Sequence, residues 1–468
     1  MELYFAVAKR PTQCGFTALD KSVTGERGSV LVTVLAMLAV LMTVLLTAMT
    51  YALSRYTVHK AHVNETRARW LADSGITRAL EASRLSTIPQ TNDTIKAPGG
   101  GWFTFETSPW GFHLLVRATG KCGGQEVIRW ALIGSSGDEF TNAAVVSGDE
   151  SLPLVISGST RIRGTGVVGL PGIIKGRIRG EGPVYEDFHV GGTQLRDRID
   201  LPAPDTAVLG EYLRDMRFRR ANPDRVLTGS QAPNDISTLV DFGDEVIEVE
   251  NHLILKNINW SNRDPVLRTL SAEGRIEIGG RSRISTPCEL IADYILVQDS
   301  AVVDRVLLWA RDSIVFCGSA VFSGMALSPG RIVVRERARL LYPSELVAYT
   351  LANPTADTTR LILSGTELAE TSAFAVSLAD DRRDDALVYV DTGKTILGCV
   401  FSNDEIDLRG SVLGSVISEH FRYEQHPTTY VNWLKDCYID RTGLTYEPVL
   451  PLCHSDSEVD GRRIVRRD

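Results

Sequence analysis

The stretch "GRIEIGGRSRISTPCELIADYILVQDSAVVDRVLLWARDSIVFCGSAVFSGMALSPGRIVV", Gly274 to Val334, decides the fold. Laid over itself it gives "GRIEI" from Gly274, "DYILV" from Asp293, "DSIVF" from Asp312 and "GRIVV" from Gly330, at intervals of 19, 19 and 18 residues. Further on, "DALVY" begins at Asp385 and "DEIDL" at Asp404, again 19 apart, and the gap of 55 from Gly330 to Asp385 is close to three more steps. Each unit opens on Gly or Asp, residues that tolerate turns, and then alternates apolar with mixed residues. A unit this short cannot bury its own inner face, so it must stack on its copies. The pattern predicts a β-solenoid with rungs about 4.8 Å apart, roughly eight of them between Gly274 and Asp404. A β-sandwich of irregular hairpins is the alternative, and a constant period speaks against it.

Outward from the repeat, the expected solenoid occupies 243–435. An insertion at 197–242 holds a helix, "TAVLGEYLRDMRFRRA". A glycine-rich block at 136–196 fits the same architecture with shorter sides. The segment 436–468 reads as a C-terminal tail, charged and solvated over Asp456–Asp468. Upstream, "WFTFETSPWGFHLLVRATG" and "QEVIRWALIG" alternate like a three-stranded antiparallel meander within 55–135.

Before that lies a charge-free run from Ser29 to Leu53, 25 residues of mostly Val, Leu, Ala and Met. As a helix it spans about 38 Å, enough to cross a hydrocarbon core of about 30 Å with some tilt. It is too long for a secretory h-region. The sequence therefore divides into a leader or cytoplasmic segment, 1–28, a transmembrane helix, 29–54, and the chain beyond it. Basic residues flank the run on both sides, so charge alone does not orient it. Past Arg55 the helix is expected to continue with small residues at Ala61, Ala68, Ala72, Gly75, Ala79 and Ala82, mostly on one face.

The order "RG", "SVLVTVL", a long apolar helix and "TRARWLADSGITRALEASRL" resembles the N-termini of K-type minor pseudopilins and PilX-like pilus-assembly proteins, over Glu26 to Leu85. The resemblance implies prepilin peptidase cleavage between Gly28 and Ser29 and a pilin-like helix with a small sheet. It also implies a bacterial inner-membrane protein, single-pass, with its bulk in the periplasm. Its partners would be the bilayer, the peptidase, other pilin or pseudopilin subunits and their assembly machinery. An uncleaved signal-anchor is the alternative. Thr33 stands fifth in the mature chain, where major pilins carry a glutamate. Over most of 140–445, "LVISGSTRIRGTGVVGLPG", "SIVFCGSAVFSG", "ARLLYPSELV" and "LRGSVLGSVISEHF" are similar to uncharacterised envelope proteins that join a PilX-like N-terminus to a glycine-rich solenoid, and more distantly the short rungs resemble the polymer-forming bactofilins.

Candidate chemistry is sparse. A net charge of −8, with no basic run interleaved with aromatics, argues against nucleic acid as a partner. "GTGVVG", Gly164 to Gly169, matches a dinucleotide fingerprint in letters but lacks a following helix, so no cofactor is expected. Asp293 and Asp312 align on adjacent rungs and are the candidate carboxylate pair of a polysaccharide-degrading enzyme. Turn formation explains them as well, because glycine alternates in the same column, and Asp299 and Asp304 read the same way. His420, Glu424, His426, Cys437, Cys453 and His454 match no metal-ligand spacing, so no metal site is expected. Seven cysteines include no CxxC pair; Cys437 and Cys453 could pair in an oxidising compartment, while Cys288 and Cys399 read as stacked core residues. The expected function is a non-enzymatic, membrane-anchored pseudopilin-like component at a tip or adaptor position of a type IV pilus or type II secretion-like filament. The alternatives are the tethered glycan-degrading enzyme and a scaffold that self-associates as bactofilins do.

Overall fold

The computed structural model describes residues 29–85, 94–135, 139–204, 206–227, 246–261, 268–350, 359–365, 368–378, 386–444, 453–454 and 462–467. The chain is mainly β with one long apolar N-terminal helix, and it divides into two units, residues 1–64 and 65–468. The described part of the first unit is a single helical rod, the start of α1 (Ser29–Leu85).

In the second unit the remainder of α1 lies on an antiparallel sheet. Trp102–Trp110, His113–Cys122 and Gln125–Ser135 pair in sequence order, as the alternation predicts. Ala68, Ala72, Ile76 and Ala79 are fully buried and face Phe105, Leu114, Val116, Ala118, Ala131 and Ile133. The approach is close because Gly120 has no side chain. A Cβ there would lie 2.1 Å from the Ala68 carbonyl oxygen and 2.4 Å from the Ala72 nitrogen. The sheet gains a strand that the sequence reading missed: Arg462–Arg467 pairs antiparallel with Gln125–Ser135. The expected loose tail is corrected there, since "RRIVRR" supplies an extended backbone that closes the sheet's open edge.

The repeat forms three parallel ladders. The first joins Arg225–Leu227, Val246–Val249 and Arg268–Ala272 to residues 288–291, 306–309 and 325–328, then Glu345–Thr350, Ser372–Ser377 and residues 400–402 and 416–418. The second joins His252–Lys256, Arg275–Gly279, residues 294–297 and 313–316, Arg331–Val334, Thr359–Leu363, Ala386–Val390 and residues 405–408. The third runs through Asn259–Trp260, residues 283–284, 302–304 and 321–323 and Arg339–Leu340, and again through Leu368–Glu370 and residues 395–397 and 411–413.

Alternation within each unit stacks like on like. Ile276, Ile295, Ile314, Ile332, Leu361, Val388 and Ile406 pair successively across the second ladder, and all are fully buried. Burying such a side chain is worth about 1.5–3 kcal/mol. At the next corner Gly280, Asp299, Gly318 and Glu336 all take positive φ, between 61° and 69°, a conformation that glycine adopts freely and that the two acids also hold here. The expected three equal steps between Gly330 and Asp385 are corrected. Arg331 pairs with Arg360 and Arg360 with Leu387, two steps of 29 and 27 residues, so one strand fills the gap, and from Arg275–Gly279 to residues 405–408 the described ladder has seven levels where eight were expected. The period lengthens at the corners, and the strands keep their register.

Chain order and stacking order part company at the glycine-rich block, which follows a short helix α2 (Glu139–Asn142). Val145–Ser147 pairs with residues 416–418, and Arg161–Arg163 pairs with Tyr438–Asp440. The block therefore extends the ladders beyond their C-terminal level, and Thr193–Arg196 and His189–Val190 are its last strands. α3 (Thr206–Ala221) is the helix that the sequence predicts. Its Leu209, Tyr212 and Met216 bury against the outward side of the first ladder, in one cluster with Ile291, Trp309, Leu327, Val347, Phe374 and Phe401. Trp110, Phe112 and Leu115 of the antiparallel sheet join that cluster, so the first ladder is apolar on both faces.

Candidate functional site

The first half of α1 is long and apolar enough to cross a membrane, with a mean hydropathy of 2.7 in its most apolar window. Its large side chains are exposed around the whole circumference, from Val34 at 48% to Met37 at 70%. The hydroxyls of Thr43, Thr47 and Thr50 donate to the carbonyl oxygens of Ala39, Thr43 and Leu46, one turn back. Such bonds leave no hydroxyl proton bare in hydrocarbon. Of the expected cleavage pair, Ser29 is the first residue of α1, and Gly28 lies outside the described residues.

Asp293 and Asp312 sit at one corner and share one cation. The Arg311 guanidinium is 2.7 Å from Asp293 and 3.5 Å from Asp312. Asp293 is partly buried, whereas two-thirds of Asp312 is exposed. The arrangement is an ion-pair cluster spanning two levels. Asp299 makes a turn: its carboxylate accepts from the Gly280 amide at 2.8 Å, as Glu336 does from Gly318 at 2.7 Å. Asp304 lies 3.2 Å from Arg305.

"GTGVVG" contains the strand Gly166–Gly169, which pairs in parallel with Val145–Ser147 and Thr193–Arg196. A strand where the fingerprint needs a helix N-terminus leaves no phosphate cradle. The histidines are scattered. His420 lies 3.3 Å from Asp149, and the His426 carbonyl accepts from Arg179. Glu424 is exposed and lies 3.6 Å from Arg422; the side chains of Cys453 and His454 lie outside the described ones. Among the described residues no group of three His, Cys, Asp or Glu is placed to hold a metal ion.

Cys437 is a free, buried thiol 3.8 Å from the Thr160 hydroxyl, and burial pushes it up to about 12. The side chain of Cys453, the expected partner, lies outside the described ones, and Cys437 itself belongs to the core between stacked strands. Cys288 and Cys399 are both fully buried, but the expected shared phase is corrected: Cys288 faces the inner core, whereas Cys399 stands in the neighbouring column and faces outward into the cluster with α3.

Asp149 is the polar centre of the joint between the glycine-rich block and the C-terminal level. Its Oδ1 accepts from the Ser151 amide and hydroxyl and from the Leu152 amide, and its Oδ2 from Asn432 at 2.8 Å. Burial raises this carboxyl, but those bonds and the nearby His420 outweigh it and hold Asp149 below the usual carboxylate range. Two further buried pairs join layers. His113 of the antiparallel sheet meets Glu345 of the first ladder, both almost fully buried. Arg219 of α3 reaches Glu289 and Thr269, while also lying 3.1 Å from Asp215. Sequence reading missed these pairs because each joins residues from different elements. Their one local signal was an acid, Glu289 or Glu345, at the head of an otherwise apolar strand.

No family model matches the chain, and no curated protein matches it. Among solved structures a match is the crystal structure of the competence-associated pilin ComZ from Thermus thermophilus. The match has 10% identity and a TM-score of 0.21, and it covers 86% of this chain and 97% of that one.

Proposed function

We propose that the chain is a membrane-anchored, non-enzymatic, pseudopilin-like envelope protein whose ladders are the faces of a β-solenoid headpiece. The observation that carries this is α1 itself. One continuous helix of 57 residues shows apolar side chains to its surroundings over its first half and seats small residues on an antiparallel sheet over its second. Lipid supplies the first half with apolar surroundings that its exposed side chains suit. In this reading a prepilin peptidase cuts after Gly28, the helix is held in the inner membrane, and the headpiece faces the periplasm. Other pilin or pseudopilin subunits then take the helix into a filament. Thr33 brings no charge to the fifth mature position, and the headpiece is too bulky to repeat along a shaft. A tip or adaptor position follows.

N-terminal sequencing of the protein recovered from membranes, with and without a prepilin peptidase, tests the reading. A start at Ser29 that depends on the peptidase is expected; an intact Met1 in both samples makes the protein a plain anchor.

One observation favours self-association as a second reading. The last strands of the stack expose Val190 at 51% and Leu195 at 54%. Filaments of the purified protein under negative stain, abolished by Leu195→Lys, would support a polymerising scaffold.

A further inference from the structure

We propose that the groove between α3 and the outward face of the first ladder binds an oxyanion, a phosphate or carboxylate borne on a ring or short apolar body. The cavity is about 300 Å³, within the range of small-molecule sites. Met216 of α3 and Trp309 and Tyr349 of the ladder give it apolar walls, and Arg217, Arg220 and Arg311 bring three guanidinium groups to it.

The charges around the groove do not cancel. Arg311 is shared by Asp293 and Asp312 at its edge. Asp215 and Glu289 are both taken by Arg219, which does not line the groove. Among the described residues no carboxylate pairs with Arg217 or Arg220. A helix C-terminus accounts for basic residues in the last turn, Arg219 and Arg220, through its dipole. It does not account for Arg217 one turn earlier, or for Arg311 on a different element.

The second observation comes from the opposite wall. Tyr349 is fully buried, and its hydroxyl accepts from Trp309 Nε1 at 3.0 Å. That contact fixes the two rings against each other, so the wall is a rigid aromatic surface. Burial pushes the Tyr349 hydroxyl far above its ordinary value, so this wall stays uncharged at every physiological pH, although the positive charge of Arg217 pulls the other way. A neutral aromatic wall on one side and two uncommitted guanidinium groups on the other are complementary to an oxyanion borne on a ring, the oxygens accepting from the guanidinium groups. The site is independent of the filament reading.

The test uses the full-length protein in detergent micelles at fixed ionic strength, with sodium phosphate and sodium glucuronate as calorimetric probes. Saturable binding of at least one probe is expected. Arg217→Gln with Arg220→Gln should weaken it by about tenfold or more, since hydrogen bonds to charged groups are the strong ones. Tyr349→Phe, which keeps the aromatic wall and every guanidinium group, should leave it within about twofold. Arg331→Gln with Arg337→Gln, exposed cations elsewhere on the ladders, should leave it unchanged. Melting temperatures measured without probe show that each variant is folded. The probe that binds tells whether the natural group is a phosphate or a uronic acid. The proposal is overturned if neither free anion binds, even where anionic-lipid vesicles do. It is equally overturned if the folded Arg217/Arg220 variant binds as the parent does.

Discussion

The two halves of α1 share a backbone and differ in what is left to close their surfaces. Between Val30 and Tyr56 the side chains are large and apolar and exposed on every turn; from Ala68 to Ala79 the stripe facing the sheet is small and fully buried. Large residues spread evenly around a helix suit a continuous apolar solvent. Small residues in one stripe suit a partner surface of fixed shape, because they let two backbones come together. A single element thus shows which contacts the chain makes with itself and which it leaves to its surroundings.

The largest expected effect breaks the first half. Val40→Asp with Leu41→Asp puts two carboxylates near the middle of the span, at about 2.5–3.5 kcal/mol each on an insertion scale. The variant should leave the carbonate-resistant membrane fraction. Trp70→Asp, at a side chain 67% exposed in the second half, should not. If both partition alike, the two halves do not differ as described.

The second half is broken from the sheet side. Gly120→Val drives a side chain against the Ala68 carbonyl and the Ala72 nitrogen, backbone atoms that can yield only if the helix shifts. A loss of about 3 kcal/mol is expected, at the upper end for overpacking, read as a fall in melting temperature. Gly210→Ala within α3, where a Cβ meets nothing within 4 Å, should instead gain about 0.5–1 kcal/mol. A neutral Gly120→Val would mean that the helix is not seated there.

Much of this was legible where periodicity is local. The 19-residue step placed residues 275–278, 294–297, 313–316 and 331–334 in one ladder before any coordinates, and "TAVLGEYLRDMRFRRA" is α3 to the residue. The stripe of small residues foretold Ala68, Ala72, Gly75 and Ala79. What failed was order at a distance. No periodicity says that Val145 stacks on Val416, 271 positions later, or that Arg462–Arg467 returns to the first sheet. The outward apolar column Ile291, Trp309, Leu327, Val347 was visible in the letters, since "ELIA", "LLWA", "MALS" and "LVAY" are apolar on both faces. Such strands are covered on both sides, and that pattern held the clue to α3 and the sheet lying over them. Of the candidate site residues, Asp293 and Asp312 do come to one corner, but no local pattern marks the cation they share, or the approach of Arg217 and Arg220 of α3 to it.

An effect smaller than that of Gly120→Val sharpens the comparison at a joint that the chain closes with charge rather than with small side chains. Asp149 binds the glycine-rich block to the C-terminal level through Asn432, and it orders its own turn through Ser151 and Leu152. Asp149→Asn keeps the shape but turns one acceptor oxygen into a donor, and a loss of about 1–2 kcal/mol is expected at pH 7. The sign with pH follows from the lowered folded-state pKa. As pH falls, the unfolded chain takes up the proton first, near the ordinary value of 3.8, and pulls the equilibrium toward itself. The stability that Asp149 supplies is whole above that value and drains away as pH falls through the lower folded value. Melting temperatures of parent and Asp149→Asn should therefore stand furthest apart at pH 6–7 and converge below about pH 4. A gap that stays constant down to pH 3 would show that the carboxylate's charge plays no part in the joint, and that shape alone holds it as it holds the helix on its sheet.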